Sequence, residues 1–201
     1  MYISITNIRK SFKKDEILKG ISFEFKDSKK YLIVGENGIG KSTLFKAILN
    51  QIKYEGYIEI DGRISYSPDG GALPHFMSSY NFIKTFSTLS DDVVDFDKKC
   101  DYYLSEFNIQ KKKNSILGSM SKGERQKVNI IKSLMTPSEI LILDEPLSGL
   151  DELSRKKLLN ILINDERMVI VVSHEKEEFD KRFFNCLVLK DGLLEVLSKV
   201  H

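Results

Sequence analysis

The sequence holds only two cysteines, Cys100 and Cys186, far apart and in no metal-binding or redox spacing. That scarcity excludes a disulfide framework or a cysteine metal site, and fits reduced thiols in a cytosolic protein. An excess of charge of either sign is missing as well. Thirty-one Lys and Arg face 29 Asp and Glu, leaving a net charge of +2. Such a balance gives no electrostatic footprint of a dedicated nucleic-acid binder, so no nucleic-acid partner is expected. The short basic runs Lys13-Lys14, Lys29-Lys30 and Lys111-Lys112-Lys113 read as solvated loops rather than a phosphate-tracking stripe. Long apolar runs are also absent: Ile140–Leu143 and Met168–Val172 have the length of strands, far short of the ~20 residues that span a bilayer. No internal repeat or low-complexity segment is visible. The N-terminus alternates like a strand, where a signal peptide would carry basic and apolar regions. The expectation is one domain over residues 1–201, with 41% hydrophobic residues to build its core, that does not itself cross a membrane.

What is present falls into three stretches. The first third reads as strands: Tyr2–Ile5, Ile21–Phe25 and Tyr57–Ile60 alternate, the last running into an Asp61-Gly62 turn. Tyr31–Val34 is a continuous apolar run ending at Gly35, the pattern of a buried parallel strand. From Pro74 to Leu117 the chain turns polar, with Phe82, Phe86, Phe96, Tyr103 and Phe107 at helical spacing, which predicts a small helical subdomain. From Ser121 onward, helices alternate with the buried strands Ile140–Leu143 and Val169–Val172, a βαβ arrangement around a parallel sheet. An Asp191-Gly192 turn joins two last short strands.

The segment Gly35-Glu36-Asn37-Gly38-Ile39-Gly40-Lys41-Ser42-Thr43 fits G-x-x-x-x-G-K-[ST]. Its glycines let successive backbone N–H groups curl toward phosphate oxygens. Lys41 reaches the β- and γ-phosphates in such a loop, and Ser42 offers a hydroxyl to Mg²⁺. The helix expected over Thr43–Leu49 sets its positive end against the same phosphates. The context strengthens the motif, because it follows a buried strand and opens a helix.

Ile140–Leu143 ends in two acids, Asp144 and Glu145. A buried strand seldom finishes this way without a partner charge, since an unpaired carboxylate there is costly. Asp144 is placed to hold Mg²⁺, and Glu145 to act as general base on the attacking water. The plainer alternative is a solvated strand-end pair. His174 follows the strand ending at Ser173, on the edge where ligands of open α/β sheets gather. It is either a donor to a γ-phosphate oxygen or a structural imidazole.

Taken together, these segments resemble the nucleotide-binding domain of ABC ATPases, over Ile3 to Leu197 and in the family's order of motifs. The resemblance implies an α/β fold: a P-loop NTPase core with a parallel sheet, an N-terminal antiparallel β subdomain and an inserted helical subdomain at about 74–135. It implies ATP and Mg²⁺ as cofactors. Phe12 matches the aromatic that stacks on adenine, an ordinary core Phe being the alternative. Asp144 and Glu145 match the Mg²⁺-associated acid and the catalytic base, and His174 the switch histidine. Leu147–Asp151 resembles the D-loop that links the two sites of a dimer. Met120-Ser121-Lys122-Gly123-Glu124 resembles the signature L-S-G-G-Q, which binds the γ-phosphate of the other subunit's nucleotide. Ser121, Lys122, Gly123, Glu124 and Asp151 would thus act in trans. Ser121 and Glu124 also form an S-x-x-E capping box ahead of Val128, Ile131, Leu134 and Met135, so an ordinary capped helix explains the same letters.

Two departures stand out. Lys122 and Glu124 replace a Gly and the Gln of the signature. Asp69 stands where the family usually has Gln; one methylene shorter and anionic, it still suits Mg²⁺ or its water. Non-Gln residues there are commonest among simple two-component exporters, which inclines the expectation toward export. The resemblance implies a membrane permease as partner, a second ATPase subunit of the same or a different kind, and residence on the cytoplasmic face of the membrane. The helical subdomain and the loop Asp69–Tyr80 would receive the permease, with Pro74, Phe76 and Met77 as the exposed apolar candidates; internal packing of these three is the alternative. The alternative is a soluble ABC-like ATPase acting in cofactor or complex assembly. From the short stretch after the last hairpin, no added regulatory domain is expected.

Overall fold

The computed structural model describes residues 1–70, 73–87 and 95–197. In chain order the elements are β1 (Tyr2–Phe12), β2 (Asp15–Lys26), β3 (Lys30–Val34), α1 (Lys41–Ile48), β4 (Glu55–Asp61), β5 (Ile64–Ser67) and α2 (Ser79–Ser87). They continue with α3 (Phe96–Glu106), α4 (Lys122–Met135), β6 (Ile140–Asp144), α5 (Glu152–Asn164), β7 (Met168–Val172), β8 (Phe184–Lys190) and β9 (Leu193–Val196). The chain divides into two compact units, Met1–Gly62 with Glu166–His201, and Arg63–Asp165.

In the first unit β2, β1 and β4 form an antiparallel sheet with β1 in the middle. The alternation in Tyr2–Ile5 is explained there: Ile3 and Ile5 are buried, while Tyr2 and Ser4 stay partly accessible. Three register shifts bend the β1–β2 ribbon before it closes at the Phe12–Asp15 pair, as bulges do by adding local twist. Phe23, Phe25 and Tyr31 stack edge-to-face at 4.7–6.0 Å between centroids, and the Tyr31 hydroxyl accepts from the Lys26 N–H at 2.9 Å.

The same unit holds β3 between two parallel neighbours, β7 and β8. Both β3 and β7 are apolar nearly throughout and buried on both faces, the condition under which parallel strands form. β8 turns back into β9 through Asp191 and Gly192, both at positive φ (50° and 80°). That is the two-residue turn an Asp-Gly pair favours.

In the second unit β5 runs parallel to β6, Ile64 opposite Ile140. Arg63 grips Glu139 at the start of this pair with its backbone N–H (2.7 Å) and guanidinium (2.9 Å), holding that carboxyl down at about 2. The helices bury Phe82 and Ile83 from α2, Cys100 and Leu104 from α3, and Val128, Ile131, Leu134 and Met135 from α4. Short 3₁₀ turns occupy Gln110–Lys112 and Leu117–Ser119. Residues 71–72 and 88–94, which fall within the expected docking loop and helical subdomain, lie outside the described residues. One expectation needs correcting: Lys112 and Lys113 are not merely solvated. They pair with Glu124 (3.1 Å) and Asp101 (2.6 Å). Burial lifts the Cys100 thiol to about 11, so it stays protonated.

Candidate nucleotide site

In the first unit, β3 delivers the chain into the loop Gly35–Gly40. α1 begins at Lys41, two residues ahead of the expected start. The reason is Gly40, whose φ of 113° makes the sharp entry; a Cβ there would meet Ile17 Cγ2 at 2.7 Å. No side chain caps this helix, so its first N–H groups remain for a ligand. Lys41 is buried, and its Nζ folds back to donate to the carbonyls of Gly35 (2.7 Å) and Glu36 (3.0 Å). Charge, dipole and free amides coincide there, and an anion fits them. Gly38 has open space around it and Ser42 is exposed.

Phe12, at the tip of the β1–β2 ribbon, is 48% exposed. The core alternative is thereby removed. Lys10 Nζ covers one face of the ring, 4.9 Å from its centroid. His174 follows β7 and is exposed. Its backbone is set by Ser173, which donates its N–H to the Ile33 carbonyl (3.2 Å) and accepts the Glu175 N–H on its hydroxyl (3.0 Å).

In the second unit β6 is buried along its length and ends at buried Asp144. The Tyr66 hydroxyl donates to Asp144 Oδ2 at 3.5 Å. Burial first, then the nearby carboxylate, pushes the Tyr66 phenol far up, so it remains a donor. Glu145 follows at φ 46°. A left-handed backbone in a non-glycine residue costs free energy and clusters at working sites. Here it turns the chain sharply between two adjacent acids. A buried carboxylate is a hard oxygen donor of the kind Mg²⁺ takes. Asp69 lies exposed in the turn after β5.

The signature-like segment forms the N-terminus of α4. Ser121 Oγ accepts from the Glu124 N–H (3.2 Å), and Glu124 Oε2 accepts from the Ser121 N–H (2.8 Å). The capping box is therefore real, and it consumes Glu124; that bond and Lys112 hold its carboxyl below the usual range. Lys122 is exposed. Gly123 lies against Gly149, where an added Cβ would sit 2.5 Å from the Gly149 carbonyl oxygen. Asp151 caps α5: Oδ1 accepts from the Ser154 N–H (2.9 Å), and Oδ2 from Ser154 Oγ (2.9 Å) and Lys127 Nζ (2.5 Å). Lys127, itself buried, also donates to the Phe107 carbonyl at 3.0 Å. These contacts hold the Asp151 carboxyl far below its ordinary value.

Sequence reasoning passed over Tyr66, Lys127, Lys132 and the Gly123–Gly149 approach. A signal existed for Lys132: it stands four residues after Val128 and one after Ile131, on the apolar face of α4.

A phosphate-binding loop between a buried parallel strand and a helix, with a second buried strand ending in Asp-Glu, defines a P-loop nucleoside triphosphatase. The family model described as ABC transporter matches residues 18–148. An uncharacterized ABC transporter ATP-binding protein of Methanocaldococcus jannaschii is 32% identical, covering 99% of this chain and 78% of that one. A ribose import ATP-binding protein of Bacillus licheniformis is 29% identical over 96% of this chain and 44% of its own length. Among solved structures, an ATP-binding subunit of an ABC transporter superposes with TM-score 0.85 at 22% identity, over 98% of this chain and 90% of that one. The protein belongs to the ABC transporter family, as an ATP-hydrolysing member with that family's α/β fold. Among the described residues, no helix is long and apolar enough to cross a membrane.

Proposed function

We propose that this single ATPase domain, with its helical subdomain at about 74–135, is the motor subunit that drives a separate membrane permease from the cytoplasmic face. Its power stroke is ATP-dependent closure against a second ATPase subunit, a copy of itself or a different chain. The phosphate loop carries this reading: a buried lysine held by two loop carbonyls at the uncapped start of a helix. Family membership and relatives named as ATP-binding proteins of transporters support the rest.

In this reading residues 35–43 wrap the phosphates through backbone N–H groups, and Lys41 offsets their charge. Ser42 and Asp144 hold Mg²⁺, with Asp69 as a further oxygen donor. The ion would neutralise charge on the phosphate oxygens. Glu145 accepts the proton of the attacking water, His174 donates to the γ-phosphate, and Phe12 stacks the base on the ring face that Lys10 leaves open. Ser121, Lys122 and Gly123 meet the partner subunit's nucleotide. Glu124 and Asp151 act behind them as caps of α4 and α5, a role their hydrogen bonds favour over direct contact. Phe76, 81% exposed, is the apolar group offered to the permease. A bias toward export, drawn from Asp69, has no support in relatives that include a ribose importer, so the proposal is neutral on direction.

The test is Glu145→Gln. Removing a general base costs roughly 10²- to 10⁴-fold in turnover. The variant should keep its affinity for a fluorescent ATP analogue, lose turnover by at least that lower factor, and elute as an ATP-dependent dimer. Turnover equal to the parent's would remove Glu145 from the role.

A further inference from the structure

Tyr66 is held at both ends, and the chemistry proposed above does not use it. Its carbonyl accepts from Lys132 Nζ at 2.6 Å, while its hydroxyl donates to Asp144 Oδ2 at 3.5 Å. Its neighbours are tied to the same helix. Ser65 Oγ donates to the Ser133 carbonyl (2.9 Å), and Asn129 Nδ2 donates to the Pro68 carbonyl (3.1 Å). Asn129, Lys132 and Ser133 stand three and four residues apart, so one face of α4 grips β5 along its length. All three are buried, and Lys132 is closed over by the Phe86 ring at 5.4 Å. Sliding β5 along α4 would leave these buried donors without partners, which the fold disfavours.

We propose that Tyr66 is a positioning residue for the magnesium carboxylate, its phenol fixing the orientation of Asp144 while α4 fixes Tyr66. This rests on the assignment of Asp144 to Mg²⁺. Carboxylates that bind metal are commonly oriented by a hydrogen bond from an outer group, and loss of that group typically costs 10- to 100-fold in metal affinity or activity. The long 3.5 Å contact places Tyr66 at the lower end of that range. The chain Asp144–Tyr66–Lys132 also joins the acid to the helix whose first turn is the signature segment. A shift of α4 would therefore be felt at the carboxylate.

The experiment compares the parent with Tyr66→Phe and Asp144→Asn. Mn²⁺, visible by electron paramagnetic resonance, is titrated into each protein saturated with a non-hydrolysable ATP analogue. Affinity for a fluorescent ATP analogue is measured separately in EDTA. Tyr66→Phe should raise the Mn²⁺ half-saturation about tenfold, leave metal-free nucleotide affinity within about twofold, and melt within a few degrees of the parent. Three outcomes overturn the proposal. In the first, Mn²⁺ affinity is unchanged in Tyr66→Phe while Asp144→Asn weakens it, so Tyr66 orients nothing. In the second, nucleotide binding in EDTA falls in parallel, and the defect is general. In the third, Asp144→Asn also binds Mn²⁺ like the parent, and the assignment of Asp144 falls together with the proposal.

Discussion

Removing the Asp151 carboxylate separates two roles for the loop before α5. If Asp151 served only a nucleotide on a second subunit, the isolated chain would unfold as before when it is replaced. The structure gives it other work, since it caps α5 through the Ser154 N–H and satisfies buried Lys127. Loss of an N-cap costs about 1 kcal/mol. The ion pair adds about another 1 kcal/mol, a modest figure because the Asp151 side chain is 55% exposed and exposed pairs are screened. Asp151→Ala should therefore lose about 2 kcal/mol, and Asp151→Asn, which keeps an acceptor for the cap, about half of that. For a chain of this size 1 kcal/mol moves the melting midpoint by about 2–4 °C. Thermal melts monitored by circular dichroism should thus drop by about 4–8 °C for the alanine variant. The carboxyl is held below its unfolded value. Its contribution is then complete above the ordinary carboxylate pKa near 4 and fades as pH falls below that toward the folded value. The gap between parent and Asp151→Asn should accordingly close in acid. Equal melts for parent and Asp151→Ala at neutral pH would refute the reasoning.

Gly123→Ala should cripple the protein before any nucleotide is present, because its methyl would press on a backbone carbonyl 2.5 Å away. Overpacking of this kind costs about 1–3 kcal/mol, and a melt of the variant matching the parent's would show that the two loops part freely. Lys132→Met should change how stability follows pH. Burial lowers the Lys132 ammonium to about 8 from 10.5, so the unfolded chain binds the extra proton and the parent's stability rises between those values. The integrated difference is about 3 kcal/mol at most, at 1.36 kcal/mol per unit. Urea titrations of the variant at pH 8 and pH 10.5 should lack that rise; a parallel rise would place the charge elsewhere.

Much of this was legible in the letters because short-range physics writes it there. The phosphate loop is a local device, in which glycine torsions, one lysine and the following helix start lie within nine residues. Buried parallel strands appear as unbroken apolar runs because both faces are covered. The capping box of α4 and the Asp191-Gly192 turn involve neighbours only, and the structure repeats them as read. Contacts that pair distant positions were decided in three dimensions. No spacing rule could show that Gly123 must be small because Gly149 lies against it. Nor could spacing show that Phe12 stands in solvent under Lys10, or that Asp151 is held by Lys127, 24 positions away. The class of chemistry could be read from the letters alone, since it depends on residue types at fixed short spacings. Which polar side chains are consumed within the fold and which stay open to a ligand was decided only by tertiary structure, because burial and long-range pairing set the charge and freedom of each group.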